Sequence, residues 1–209
     1  MRIGVLPIVL AGLTVVAACG NPATNKSQAV TGEATQASSP HPAGGQKYLI
    51  TPQNSKIEFI GSKVTGSENG SFQKFSGEID YTGNVETSRV SVTIETDSIT
   101  TNSPDLTKHL KTADFFDVAK YPQATFVSTA IKPGGDKGAS HTVTGNLTLH
   151  GATKGVTFPA TISVAADAIT VDSTFTINRK DFGINYAGAA DNLIRDDVVL
   201  TLKIRATKS

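Results

Sequence analysis

Apolar and polar residues alternate with a period of two over much of the chain beyond residue 46. The apolar members are Ile57 and Phe59; Val90, Val92 and Ile94; Leu147 and Leu149; Val156, Phe158, Ala160, Ile162 and Val164; Ile169, Val171, Phe175 and Ile177; and Val198, Leu200, Leu202 and Ile204. Successive side chains of a strand point to opposite faces, so each run predicts a half-buried strand. The positions between them, such as Thr157, Thr161, Thr170, Asp172, Thr174, Thr201 and Lys203, are polar and often β-branched, which makes one face wet. Turn signals at Thr82-Gly83-Asn84, at Lys132-Pro133-Gly134-Gly135-Asp136 and at His150-Gly151 join neighbours into an antiparallel meander. With one apolar face per sheet and little helix to cover it, the sheet must close into a barrel or pack on a second sheet. Alternation alone leaves both open.

Helix is predicted in one interval, Asn102 to Ala119. Ser103 is a capping residue, Pro104 suits the first helical position and Asp105 favours the positive end of the helix. Leu106 and Leu110 share a face at i and i+4, and Phe115 and Phe116 follow. Such a segment covers a barrel mouth or closes a gap in a sandwich.

Composition narrows the class. The chain has 209 residues, 38% hydrophobic and 18% charged, with 19 Lys and Arg against 18 Asp and Glu. That describes one domain with a tail, all-β in class. A net charge of +1 without a basic cluster excludes nucleic acid as a partner.

The N-terminus reads differently. Arg2 precedes an apolar run from Ile3 to Val16 and the small residues Ala17 and Ala18, the pattern of a signal peptide over residues 1–18 that is too short to span a bilayer. Val16-Ala17-Ala18-Cys19 resembles the bacterial lipobox, in which the cysteine left after cleavage carries a diacylglycerol. That reading makes Cys19 the lipidation site and membrane anchor, against a plain signal peptide or a buried thiol; two acyl chains suffice for stable anchoring. The expected location is the cell envelope, as a periplasm-facing lipoprotein, on the outer membrane if the host has two. Residues 19–45 hold one aliphatic side chain larger than Ala beyond Cys19, namely Val30, and read as a flexible linker with a root-mean-square span of roughly 28 Å. The domain is then 46–209.

Three stretches are more specific than generic strand sequence: HLKTADFFDVAKYPQATF at 109–126, GNLTLHGATKGVTF at 145–158 and INRKDFGI at 177–184. Their order and spacing resemble the YceI-like family, and Tyr48-Leu49-Ile50-Thr51-Pro52 extends the likeness across 46–209. The resemblance implies an antiparallel lipocalin-like β-barrel with a short helical excursion, whose apolar interior holds a long amphiphile such as a polyisoprenoid or quinone tail. Two departures stand out. Where the family often has Asp-Pro-x-His-Ser this chain has Thr51-Pro52-Gln53-Asn54-Ser55, and where it often has Thr-Lys-Pro-Val this chain has Thr153-Lys154-Gly155-Val156.

On this reading the candidate ligand-lining residues are Phe115, Phe116, Tyr121, Phe126, Leu147, Leu149, Phe158, Phe175 and Phe182, each of which is plain core if the barrel is filled. The head-group candidates are His109, Arg179, Lys180 and Asp181, with solvated turn charges, including an Asp181–Arg179 pair, as the alternative. The four histidines show no metal spacing, and there is no G-x-S-x-G elbow, P-loop or dinucleotide fingerprint. A non-enzymatic lipid-binding protein without cofactor or metal is therefore expected, with a homodimer allowed. The alternatives are an envelope adaptor with a filled barrel, and a hydrolase or isomerase acting on a bound lipid.

Overall fold

The computed structural model describes residues 20–36 and 44–209. The expected signal segment and Cys19 lie outside the described residues. Two short strands come first, β1 (Ser27–Gln28) and β2 (Val30–Gly32). Then follow β3 (Gln46–Ile50), β4 (Lys56–Lys63), β5 (Gly66–Phe72), β6 (Phe75–Tyr81), β7 (Arg89–Glu95) and β8 (Ile99–Thr101). A helix, α1 (Pro104–Leu110), precedes β9 (Gln123–Pro133), β10 (His141–Leu149), β11 (Ala152–Val164) and β12 (Ala168–Asn178). A small hairpin, β13 (Gly188–Ala189) with β14 (Asn192–Leu193), leads into β15 (Asp197–Lys208).

The sheet closes on itself, which decides barrel over sandwich. The ring runs β12, β11, β10, β9, β7, β6, β3 and β15, and the ladder from Ala168 opposite Thr207 to Asn178 opposite Asp197 joins its ends. Three of the eight staves are bent strands: β3 continues as β4, β5 as β6 and β7 as β8, the second halves pairing through β15–β4, β4–β5 and β5–β8. Antiparallel pairing runs throughout the ring, and the β10–β11 connection is the tight turn anticipated at His150-Gly151, where both residues take positive φ.

The helix begins as its sequence dictates. Ser103 Oγ accepts the Leu106 N–H at 3.3 Å and Pro104 occupies the first turn, where its missing N–H costs nothing. Leu110 buries against Phe59, Ile99, Phe115 and Ile184. Along β15 the core passes from Ile204 and Ala206 to Val198 and Leu200, and the latter pair belongs to the cluster under α1. The helix thus covers one end of the barrel.

Part of the expected linker is structured instead. β11 and β12 pair directly only over Thr161–Val164, and beyond that they part. β2 fills the gap from the β11 side, Gly32 opposite Gly155, and β1 from the β12 side, Ser27 parallel to Phe175. Ala29 donates its N–H to the Thr176 carbonyl at 2.8 Å and is 7% exposed in the core. Lys137 Nζ reaches the Asn25 carbonyl, and Ser27 Oγ donates to Asp136 at 2.6 Å. This strap was invisible to composition because backbone pairing needs no large side chains.

Gly155 is what admits the strap. A Cβ there would lie 2.5 Å from the Glu33 carbonyl oxygen, and a proline, which the resembled family often carries, would also lack a ladder N–H. Gly155→Val is expected to release residues 27–32, read as faster amide exchange there with the rest of the barrel protected. The strap is also expected to respond to acid. The Ser27 hydroxyl, then the Lys137 N–H and ammonium, hold the Asp136 carboxyl below its ordinary 3.8 against the opposing effect of desolvation. A depressed carboxylate stabilises the docked form above the ordinary value and loses that contribution as pH falls through the depressed one. Proteolytic protection of the strap should therefore be flat from pH 7 to 5 and fall only below about pH 4.

Candidate functional site: an apolar cavity inside the barrel

The barrel is hollow. A cavity of about 250 Å³ lies inside it, walled by residues from β3 to β7, from β9 to β12, from β15 and from the α1 end. Apart from Gly61, Arg179 and Arg195, every lining residue is aliphatic or aromatic. Leu147, Leu149, Val92, Leu200 and Leu202 line it, packing against the core clusters while remaining only partly buried. An apolar cavity of about 150 Å³ stays dry and admits benzene, so this one accepts an alkyl segment on the order of ten carbons. A barrel filled by side chains, the premise of the adaptor reading, is not what the structure shows.

The wall carries a run of aromatic rings. Phe158 and Phe175 stack with centroids 4.3 Å apart and an interplanar angle of 8°, and Phe126 meets Phe158 at 5.7 Å. Phe126 lies over Gly145, where a Cβ would come within 2.3 Å of its ring and where the β9–β10 register shifts. On the α1 side Phe116 packs edge-on to Phe72 at 5.7 Å, and Phe72 tilts against Phe59 at 5.9 Å. One of these pairs is edge-on, two are tilted and one is stacked, with centroid separations in the range where aromatic pairs attract.

The structure brings Phe115, Phe116, Phe126, Leu147, Leu149, Phe158 and Phe175 together on this one cavity. Two other candidates are elsewhere. Tyr121 packs edge-on to His150 at 4.7 Å, over the β10–β11 turn at Gly151, and is not on the cavity wall. Phe182 is fully buried in the core cluster of β11 and β12, so it is a packing residue rather than a lining one.

The head-group candidates separate further. His109 is bonded through Nε2 to Asp114 at 2.8 Å and packs between Phe115 and Tyr186, outside the cavity. Lys180 is exposed and pairs with Asp196 at 3.0 Å, while Asp181 is exposed and off the wall. The anticipated Asp181–Arg179 pair is replaced by Arg179–Asp196 at 3.4 Å. Arg179 does reach the cavity, yet it is 5% exposed and occupied: Nε donates to the Arg195 carbonyl (3.1 Å), Nη1 to Ile184 (2.7 Å) and Nη2 to Ile194 (3.4 Å). Burial lowers its guanidinium from the ordinary arginine value, and Asp196 opposes that. Arg179 thus clamps the 183–196 segment onto the barrel. The sequence reading missed Ile184, Ile194, Arg195 and Val198 as lining residues. Only Val198 carried an alternation signal, and nothing local set Arg195 apart from any charge in a turn.

A closed eight-stranded antiparallel barrel with an internal apolar cavity defines the class of lipocalin-like cavity barrels. Within that class the chain matches the YceI-like domain model over residues 48–206 and belongs to the YceI-like family. A UPF0312 protein of Pseudomonas putida strain W619 is 41% identical over 136 residues, which cover 62% of this chain and 70% of the relative. Among solved structures, Burkholderia cenocepacia BcnA is similar with a TM-score of 0.67 at 27% identity, over 76% of this chain and 99% of that one. A polyisoprenoid binding domain from Saccharophagus degradans shares the fold with a TM-score of 0.63 at 18% identity, over 79% and 100% of the two chains.

Proposed function

We propose that this protein binds the tail of a long amphiphilic lipid, of polyisoprenoid or quinone-like kind, inside its barrel, and carries or sequesters it without chemical conversion. The carrying observation is the cavity: a wall made almost wholly of aliphatic and aromatic side chains. Each methylene taken from water into such a wall contributes about 0.8 kcal/mol, so affinity is set by tail length more than by polar contacts. The fold likeness to a domain described as polyisoprenoid binding supports the reading. The test is native mass spectrometry of the protein purified from the envelope of its own host, followed by extraction. One stoichiometric amphiphile is expected; a reproducibly empty barrel with lipid available would overturn the proposal.

The same reading places the barrel at an envelope membrane, held by a lipid on Cys19. The docked strap sharpens the geometry: Ser27 follows Cys19 by eight residues, a reach of at most about 29 Å at full extension. The barrel would then be held within about 29 Å of the bilayer that supplies its ligand. Cys19→Ser is expected to leave the barrel folded and shift the protein from the membrane to the soluble fraction. Unchanged membrane association would sink the anchor.

A further inference from the structure

One seam of the barrel wall is incomplete. β10 and β11 pair from His141 opposite Ala160 to Leu149 opposite Ala152, and β12 pairs with β15 over its whole length, whereas β11 and β12 meet only over Thr161–Val164. Where these two strands part, Phe158 of β11 and Phe175 of β12 stack at 4.3 Å on the inside and the strap covers the outside. The buried residues of the strap, Ser27 and Ala29, are both small. Ala29 shares one buried cluster with Val156, Phe158, Phe175 and Ile177, and all four of those line the cavity. Along this seam, strap and ring stack divide the cavity from solvent.

The strap is weakly held. Its one larger apolar side chain, Val30, is 71% exposed, so docking buries little beyond the Ala29 methyl. What remains is backbone pairing and polar contacts at its two ends. Ser27 meets Asp136, Lys137 meets the Asn25 carbonyl, and Thr35 gives its N–H to Asn146 Oδ1 at 2.9 Å and accepts from Nδ2 at 2.7 Å. Such bonds are exchanged for water at small net cost, so an element held by them opens well before the barrel unfolds. The two ends of the barrel are shut by contrast. Ile99, Leu110, Phe115 and Ile184 at the α1 end are at most 8% exposed, and Tyr48, Ile50, Ile79 and Ile169 at the other at most 5%. We infer that the strap is the door of the cavity: an amphiphile's tail enters and leaves sideways, between β11 and β12, when residues 27–32 lift, and this lifting limits the rate of exchange. The inference rests on the tail-in-barrel reading above and adds the route to it.

The test is the exchange of cis-parinaric acid, a slim fluorescent chain, followed by stopped flow: association by direct mixing, dissociation by chase with excess decanol. The parent protein carries Cys19→Ser, so that introduced thiols are its only ones. Val30 stands directly opposite Thr157 in the β2–β11 ladder, a spacing that a disulfide spans. With Val30→Cys and Thr157→Cys oxidised, both rates are expected to fall about tenfold or more while their ratio, the Kd, stays within about threefold, and reduction should restore them. Gly155→Val, which releases the strap, should raise both rates about threefold or more. A staple shown closed by mass and by loss of free thiols that leaves the rates within about twofold would overturn the inference and leave tail binding standing. So would Gly155→Val exchange no faster than the parent's, which decides the matter if the staple does not close. Failure of the probe to bind the parent, or binding that Leu147→Trp does not weaken, would instead strike the tail-in-barrel reading, and the inference with it.

Discussion

Arg179→Met is expected to lower the unfolding free energy by about 3 kcal/mol or more, the cost of removing one partner from a buried charged network. The side chain is 5% exposed and its guanidinium holds three backbone carbonyls from a segment with little regular structure. Methionine fills much of the same space but donates nothing, so the carbonyls of Ile184, Ile194 and Arg195 lose their donor, at about 1–3 kcal/mol for each that stays buried. Lys180→Met is the control: its pair with Asp196 is solvent-exposed, and such pairs are worth about 0–1 kcal/mol. Urea unfolding of both variants, with unchanged m-values, separates the two roles. A cost below 1 kcal/mol at Arg179 would mean that the 183–196 segment is held by something other than this clamp.

Leu147→Trp is expected to cut the affinity for a dodecyl tail about 50-fold with little change in stability. Leu147 stands on β10 opposite Phe126 and faces the void. An indole there fills space that the ligand would use, and displacing roughly three methylenes at about 0.8 kcal/mol each costs about 2.4 kcal/mol. In a filled core the same change would be overpacking and would destabilise by about 1–3 kcal/mol, so thermal melting and titration together test whether the interior is hollow. The chain has no tryptophan of its own, which makes the new indole a reporter. Its emission should be that of a dry environment. Undiminished binding of the dodecyl tail would place the ligand outside the barrel.

The chain announces some of this structure locally and conceals the rest. The alternation of Val198, Leu200, Leu202 and Ile204 became β15, Ser103-Pro104 became the start of α1, and His150-Gly151 became a hairpin turn, because each depends on near neighbours alone. Closure of the sheet was open to alternation, which is the same in a barrel and a sandwich; the family resemblance chose the barrel and the β12–β15 ladder shows it. The strap at residues 27–32 was hidden because Ala29 and its neighbours carry little apolar surface, and what docks them is backbone pairing into a split between β11 and β12.

The site divides along the same line. By itself the sequence determined which side chains are apolar and inward, so Phe126, Leu147, Leu149, Phe158 and Phe175 were identifiable as interior. Whether interior meant core or cavity wall was decided only by how far apart the staves stand, a volume to which every strand contributes and no segment encodes. The tertiary structure likewise withdrew Tyr121 and Phe182 from the wall. It also withdrew Arg179 from the head-group candidates, consuming it on carbonyls that lie 5 and 15 to 16 residues away, and left the Nε of Arg195 buried without a partner. Periodicity is a property of one strand and is written in its residues, whereas vacancy and the pairing of a charge depend on which distant atoms the closed barrel brings within reach.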